Sequence, residues 1–191
     1  VGNVLMKLMT FFLLPVYTTY LLKAEIGLYE KTSSIITFSA MTVFLNIWAA
    51  VLRFMYDYQK DQDKYIAINN GLLIFFVAAI LYTSGLWIFN YFRPTPYMIY
   101  IYFYGLFTIF HYLYGNIARG FGKNLLYAVS GVIASLTTLI TNIILIVYFQ
   151  MRIESLYISV CVGYLMQILI IEFKLKIIVK FTIKDISKNL I

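Results

Sequence analysis

Six stretches of the chain are almost continuously apolar, at roughly 2–22, 32–52, 66–90, 97–117, 125–149 and 155–173. Each is close to the 20 or so apolar residues that an α-helix needs to cross a bilayer. Between them lie short connectors that hold nearly all the charge: KAEIGLYEK (23–31), RFMYDYQKDQDK (53–64), FRPTP (92–96), ARGFGKN (118–124) and QMRIE (150–154). Strands of a membrane barrel alternate in character at every second residue. These runs do not alternate, so the pattern predicts helices. Residues 1–173 are expected to form one six-helix transmembrane unit, with 174–191 a basic segment that leaves it.

Composition supports lipid as the solvent. Of 191 residues, 62% are hydrophobic and only 12% charged, with a mean hydropathy of +0.85. A soluble domain has about 45–50% apolar and about 25% charged residues. The single cysteine, Cys161, excludes a disulfide framework within the chain. Val1 already lies inside an apolar run and Ile191 follows a basic stretch, so the expectation is a piece of a longer protein. The first run is long and lacks a small-residue cleavage pattern, so no removable signal peptide is expected.

The net charge of +7 is distributed by loop. Arg53, Lys60, Lys64, Arg119, Lys123, Lys174, Lys176, Lys180, Lys184 and Lys188 fall on one side of the expected topology. Lys23, Lys31, Arg93 and Arg152 fall on the other. Ten against four places the first group, and the N-terminus, in the cytoplasm. The basic balance is thus a topology signal, and nucleic acid is not an expected partner.

Gly120-Phe121-Gly122-Lys123 invites comparison with a phosphate-binding loop. A Walker A loop needs glycine five residues before its Gly-Lys and Ser or Thr after it. Here those positions hold Ile117 and Asn124, and Leu125 stands where a dinucleotide fingerprint needs its third glycine. The stretch is expected to be a cytoplasmic turn. No nucleophile motif, metal-ligand spacing or intrahelical carboxylate pair is present. The expectation is therefore a non-enzyme without cofactor or metal.

Polar residues recur at helical spacing inside several runs. The second has Ser39, Thr42, Asn46, Ala49 and Arg53, predicted as one continuous face ending in a cation at the cytoplasmic mouth. The fifth has Ala128, Gly131, Ser135, Thr138 and Asn142, and the sixth Ser155, Ser159, Gly163 and Gln167. Such stripes either line a wet cavity or let helices pack closely. The first run offers Lys7, Thr10, Leu14 and Thr18, with Pro15 expected to bend it; Lys7 either sits in the cavity or snorkels to the surface. His111, the one histidine, shares a face with Tyr100, Tyr104, Phe107 and Tyr114 and is expected to be hydrogen-bonded among tyrosines.

Three stretches carry a family resemblance. LLPVYTTYLLKAEIGLYE (13–30) resembles the opening of bacterial polysaccharide flippases, whose first helix ends in a Leu-Pro-x-Tyr-Thr-x-Tyr-Leu pattern before an acidic, glycine-containing turn. VLRFMYDY (51–58) is similar to the family's Arg-Phe-Tyr-Tyr stretch. ARGFGKNLLYAVSGVIASLTTLITNIILI (118–146) has its Arg, Gly-Lys, Tyr-Ala, Gly and helix-interior Asn in the family's order. The resemblance is to the O-antigen type of flippase in the multidrug/oligosaccharidyl-lipid/polysaccharide (MOP) superfamily.

That resemblance implies an all-α polytopic membrane protein, with six transmembrane helices forming one lobe of a MATE/MOP-like two-lobe transporter. The chain would be the N-terminal lobe, followed by a second. The implied substrate is an undecaprenyl-diphosphate-linked oligosaccharide, flipped to the outer leaflet of a bacterial inner membrane for surface polysaccharide biosynthesis. Membrane lipids and other polysaccharide-assembly membrane proteins are the implied partners. Arg53 and Arg119 match the family's motif arginines; Arg53, Asn46, Arg119, Lys7 and Asn142 are the candidate cavity residues. The competing classes are a drug/cation antiporter of the same superfamily and a membrane polysaccharide polymerase or ligase.

Overall fold

The computed structural model of the chain describes residues 13–94, 96–178 and 180. Among them every regular element is helical: α1 (13–20), α2 (Lys23–Val43), α3 (Ile47–Asp57), α4 (Lys64–Phe92), α5 (Met98–Gly120), α6 (Asn124–Ile143) and α7 (Ile153–Leu175). α6 continues as a π-helical turn over Ile144–Tyr148. Three helices are long and apolar enough to cross a membrane: α4, α6 with its π extension, and α7. α2 and α3 qualify together as a fourth, broken span bent by 47°.

Two expectations need correction. KAEIGLYEK is not a connector: it opens α2, with the Glu25 carboxylate accepting the Leu22 N–H at 2.8 Å as a helix-start cap. The second span is not one continuous helix over 32–52. It stops at Val43 and restarts at Ile47, with Leu45 and Asn46 in the left-handed region at φ 47° and 55°. The count of six spans is also not reached by these elements. α5 has sufficient length at 23 residues, but five tyrosines, His111 and Asn116 dilute its hydropathy. Much of the first expected span, Lys7 included, lies outside the described residues.

α5 tolerates those polar groups because it is the central helix, packed against α2, α3, α4, α6 and α7. Tyr104, Ile109, Leu113, Tyr114 and Ile117 are buried in the main core. Tyr29 and Tyr157 meet Tyr104 edge-on, and Trp48 of α3 stacks on Tyr112 with centroids 5.3 Å apart. The outer surface is apolar: on α6, Leu125, Val129, Ile133, Leu136 and Ile140 form an exposed stripe at spacings of three and four. In water this stripe would be a liability; against acyl chains it is the expected surface.

Long-range contacts show which helix ends lie together. The Tyr65 hydroxyl at the start of α4 donates to the Leu175 carbonyl at the end of α7 (3.2 Å) and accepts from Lys180 Nζ (3.2 Å). Its ring packs on Phe121 of the α5–α6 turn, with centroids 5.3 Å apart. At the opposite end, Arg152 before α7 pairs with Glu25 of α2 at 2.8 Å. The basic residues of 53–64, 118–124 and 174–180 therefore gather at one end of the bundle.

The Gly-Phe-Gly-Lys stretch sits at that basic end as a helix terminus. Gly122 is left-handed (φ 70°); its N–H donates to the Arg119 carbonyl (2.8 Å), and the Lys123 N–H donates to the Ala118 carbonyl (3.0 Å). This is a Schellman closure of α5. Both amides are consumed by helix carbonyls, so neither is left to cradle a phosphate.

Candidate functional site

The polar stripe of the second span ends up on the outside. Thr42, Asn46, Ala49 and Arg53 are exposed and Ser39 is half-buried. The Ser39 and Thr42 hydroxyls bond back to their own helix, to the Ile36 and Phe38 carbonyls, both at 2.9 Å. Asn46 occupies the start of α3 without capping it through its side chain. Because the helix breaks at 44–46, the stripe is two faces meeting at a bend rather than one. Arg53 lies in the second half of α3, seven residues from Asn46, or about 10 Å at 1.5 Å per residue. Beside it, a groove of about 220 Å³ between α3 and α4 is lined by Ala50, Phe54, Tyr58 and Asn70 among others.

Arg119 shares the basic end with Arg53, since Met55 of α3 packs against Gly120. It is half-buried and held from two sides. Nη2 donates to Asn116 Oδ1 (2.6 Å), and the guanidinium lies over the Tyr127 ring with 5.0 Å to the centroid. Asn116 is itself fixed by donation to the Tyr112 carbonyl (2.8 Å). Arg119 Nε has no protein partner. The guanidinium is thus held in one orientation by its own helix and by α6.

Asn142 is elsewhere. It stands 18 residues along α6 from the basic end, or about 27 Å. It is 1% exposed and donates to the Tyr17 hydroxyl and to Ser159 Oγ, both at 2.9 Å. Its neighbours continue this seam. Gly163 of α7 comes up against Thr138 and the Ala134 carbonyl so closely that a Cβ would sit 2.8 Å from that oxygen. The stripes of α6 and α7 thus face each other and are packing surfaces. Asn142 is a structural hydrogen-bonding residue here, separated from Asn46, Arg53 and Arg119.

His111 also departs from expectation. It stacks on Tyr164 of α7 (centroids 4.2 Å apart, planes 22° apart) instead of sitting in a tyrosine hydrogen-bond network, and its Nδ1 has no partner. Two features were not anticipated from sequence. One is the Glu25–Arg152 clasp. The other is Glu172, whose carboxylate accepts from the Tyr114 hydroxyl (3.1 Å) and from the Ile177 and Ile178 amides (3.1 and 3.0 Å). Both join residues far apart in the chain or past a helix end, where local spacing carries no signal. Among the described residues, no group of His, Cys, Asp and Glu side chains is placed to hold a metal ion. Comparison with known proteins adds nothing to this picture: no family model matches the chain, and neither a curated protein nor a solved structure is detectably similar.

Proposed function

We propose that this chain forms one lobe of a membrane transporter that flips an undecaprenyl-diphosphate-linked oligosaccharide from the cytoplasmic to the outer leaflet of a bacterial inner membrane. In this reading the N-terminus and the basic end face the cytoplasm, and the lipid-linked sugar enters there. The observation that carries it is the exposed polar face over the bent second span, with Thr42, Asn46 and Arg53 turned away from the rest of the bundle. Polar groups such as Thr42 and the Asn46 amide on an open helix face within a span are costly against hydrocarbon, and the Arg53 guanidinium stands where that face opens at the basic end. Such a face is favourable only if water or a second polar wall lies opposite, as between the two lobes of a repeat-built transporter.

The chemistry fits the substrate class. A diphosphate at the cavity mouth would be met by Arg53, free to pair bidentately, and by Arg119, pre-oriented by Asn116 and Tyr127. The sugar head would pass the Asn46 bend while the prenyl chain stayed in lipid. Support for the class also comes from the motif resemblance at 13–30, 51–58 and 118–146. The test is Arg53→Ala in the full-length protein, with surface polysaccharide measured at matched protein level. The expected result is a loss of tenfold or more, with partial recovery in Arg53→Lys. Unchanged export would reduce Arg53 to an interfacial anchor and remove the support.

A further inference from the structure

α7 ends where its sequence gives no local reason to end. From Phe173 to Phe181 there is no glycine, proline or asparagine, the residues that ordinarily close a helix. The helix stops at Leu175 all the same, and Lys176 takes the left-handed conformation at φ 52°. Glycine enters that region freely, an L-residue only with strain. Glu172, in the last turn, also sets a carboxylate at the negative end of the helix dipole. Three local preferences are thus broken over residues 172–176.

One side chain accounts for the arrangement. The Glu172 carboxylate accepts the Ile178 N–H through Oε1 (3.0 Å) and, through Oε2, the Ile177 N–H and the Tyr114 hydroxyl (both 3.1 Å). In a continued α-helix those two amides would bond to the Phe173 and Lys174 carbonyls, four residues back. The carboxylate therefore stands in for two backbone acceptors, and its three donors offset its place on the dipole. With the chain turned back, Ile177 is buried in the main core and Lys180 Nζ reaches the Tyr65 hydroxyl (3.2 Å). The segment after α7 is strapped to α5 through Tyr114 and to α4 through Tyr65.

We propose that Glu172 is the latch of a two-state helix end. Closed, it stops α7 at Leu175 and straps the following segment across the basic end. Open, the carboxylate releases the Ile177 and Ile178 amides to the Phe173 and Lys174 carbonyls, Lys176 returns to helical geometry, and α7 runs on past it. Each state satisfies both amides, so the exchange strands no backbone group. Opening gives up the burial of Ile177 and the Tyr114 hydrogen bond, and it relieves the strain at Lys176. This inference stands whether or not the chain is a flippase.

The test uses the full-length protein in lipid nanodiscs, with Cys161→Ser and nitroxides on cysteines placed at the exposed positions Lys123 and Ile178. Electron paramagnetic resonance reads the distance between them. Wild type should show two populations, the closed one dominant. Glu172→Ala should make the other dominant, and Tyr114→Phe should raise it at least twofold. Lys176→Gly, which frees the closed state of its strain and weakens a continued helix, should lower it at least twofold. A single population in wild type, an unchanged distribution in Glu172→Ala, or a shift in Lys176→Gly in the same direction as in Glu172→Ala overturns the proposal. If Glu172→Ala does not fold, the opposite shifts of Tyr114→Phe and Lys176→Gly decide.

Discussion

Ser135, Thr138 and Asn142 on α6 follow the same three-and-four spacing as Ser39, Thr42 and Asn46 on the second span, yet the first set is closed against α7 and the second is open. The difference lies in what stands opposite. α7 supplies a complementary row, Ser159 to accept from Asn142 Nδ2 and Gly163 to admit Thr138. Among the described residues no helix covers Thr42, Asn46 and Arg53, although the Ser39 and Thr42 hydroxyls bond back to their own helix just as those of Ser135 and Thr138 do. A small-polar stripe therefore marks a helix face that avoids lipid, while the partner decides whether it becomes a seam or a wall.

If that distinction is right, steric change should separate the two regions most strongly. Gly163→Val drives a side chain into Thr138 and the Ala134 carbonyl, and should cost at least about 2–3 kcal/mol, the scale of core overpacking. Ala49→Val, on the exposed face, should stay within about 0.5 kcal/mol. Thermal unfolding of both in the same detergent checks this; equal losses would mean that the α2–α3 face is packed after all.

Polar change should separate them next. Asn142→Leu strands the Tyr17 and Ser159 hydroxyls and should cost about 1–2 kcal/mol. Asn46→Gly keeps the left-handed backbone without strain while removing the amide. Its stability should be nearly unchanged, whereas export of surface polysaccharide should fall severalfold. Normal export in Asn46→Gly would leave Asn46 as a backbone device alone.

These outcomes also mark how far the sequence was legible. Runs of apolar residues located α4, α6 with its π-helical extension, and α7 to within about two residues at each end, because length and hydropathy are summed over twenty positions and tolerate local noise. They misplaced the start of α2, since charge was equated with loop although Lys, Ala, Glu and Leu are all strong helix formers. They missed the break at 44–46, where Thr-Val-Phe-Leu-Asn offers neither glycine nor proline and only Asn46 hints at a left-handed residue. At the site, periodicity found the polar faces but is silent on what covers them. That is why Asn142 was grouped with Arg53 although it stands at the far end of α6 inside a helix seam.

The smallest expected effect is the most pointed, because its sign should reverse between the two regions. Leu45 is 83% exposed and held at φ 47°, so its side chain contributes little burial while its backbone carries left-handed strain. That strain costs about 1–2 kcal/mol for an L-residue, and glycine escapes it at an entropic cost of about 0.5–1 kcal/mol. Leu45→Gly should therefore stabilise the protein by about 0.5–1 kcal/mol. Ile140 is also a surface residue, 54% exposed, but in the unbroken helix α6. There Ile140→Gly has no strain to relieve and should lose about 1 kcal/mol or more. Chemical unfolding of the two variants side by side resolves the question: destabilisation by both would mean that α2 runs through Leu45 as a continuous helix, and the bend that turns Asn46 and Arg53 outward would go with it.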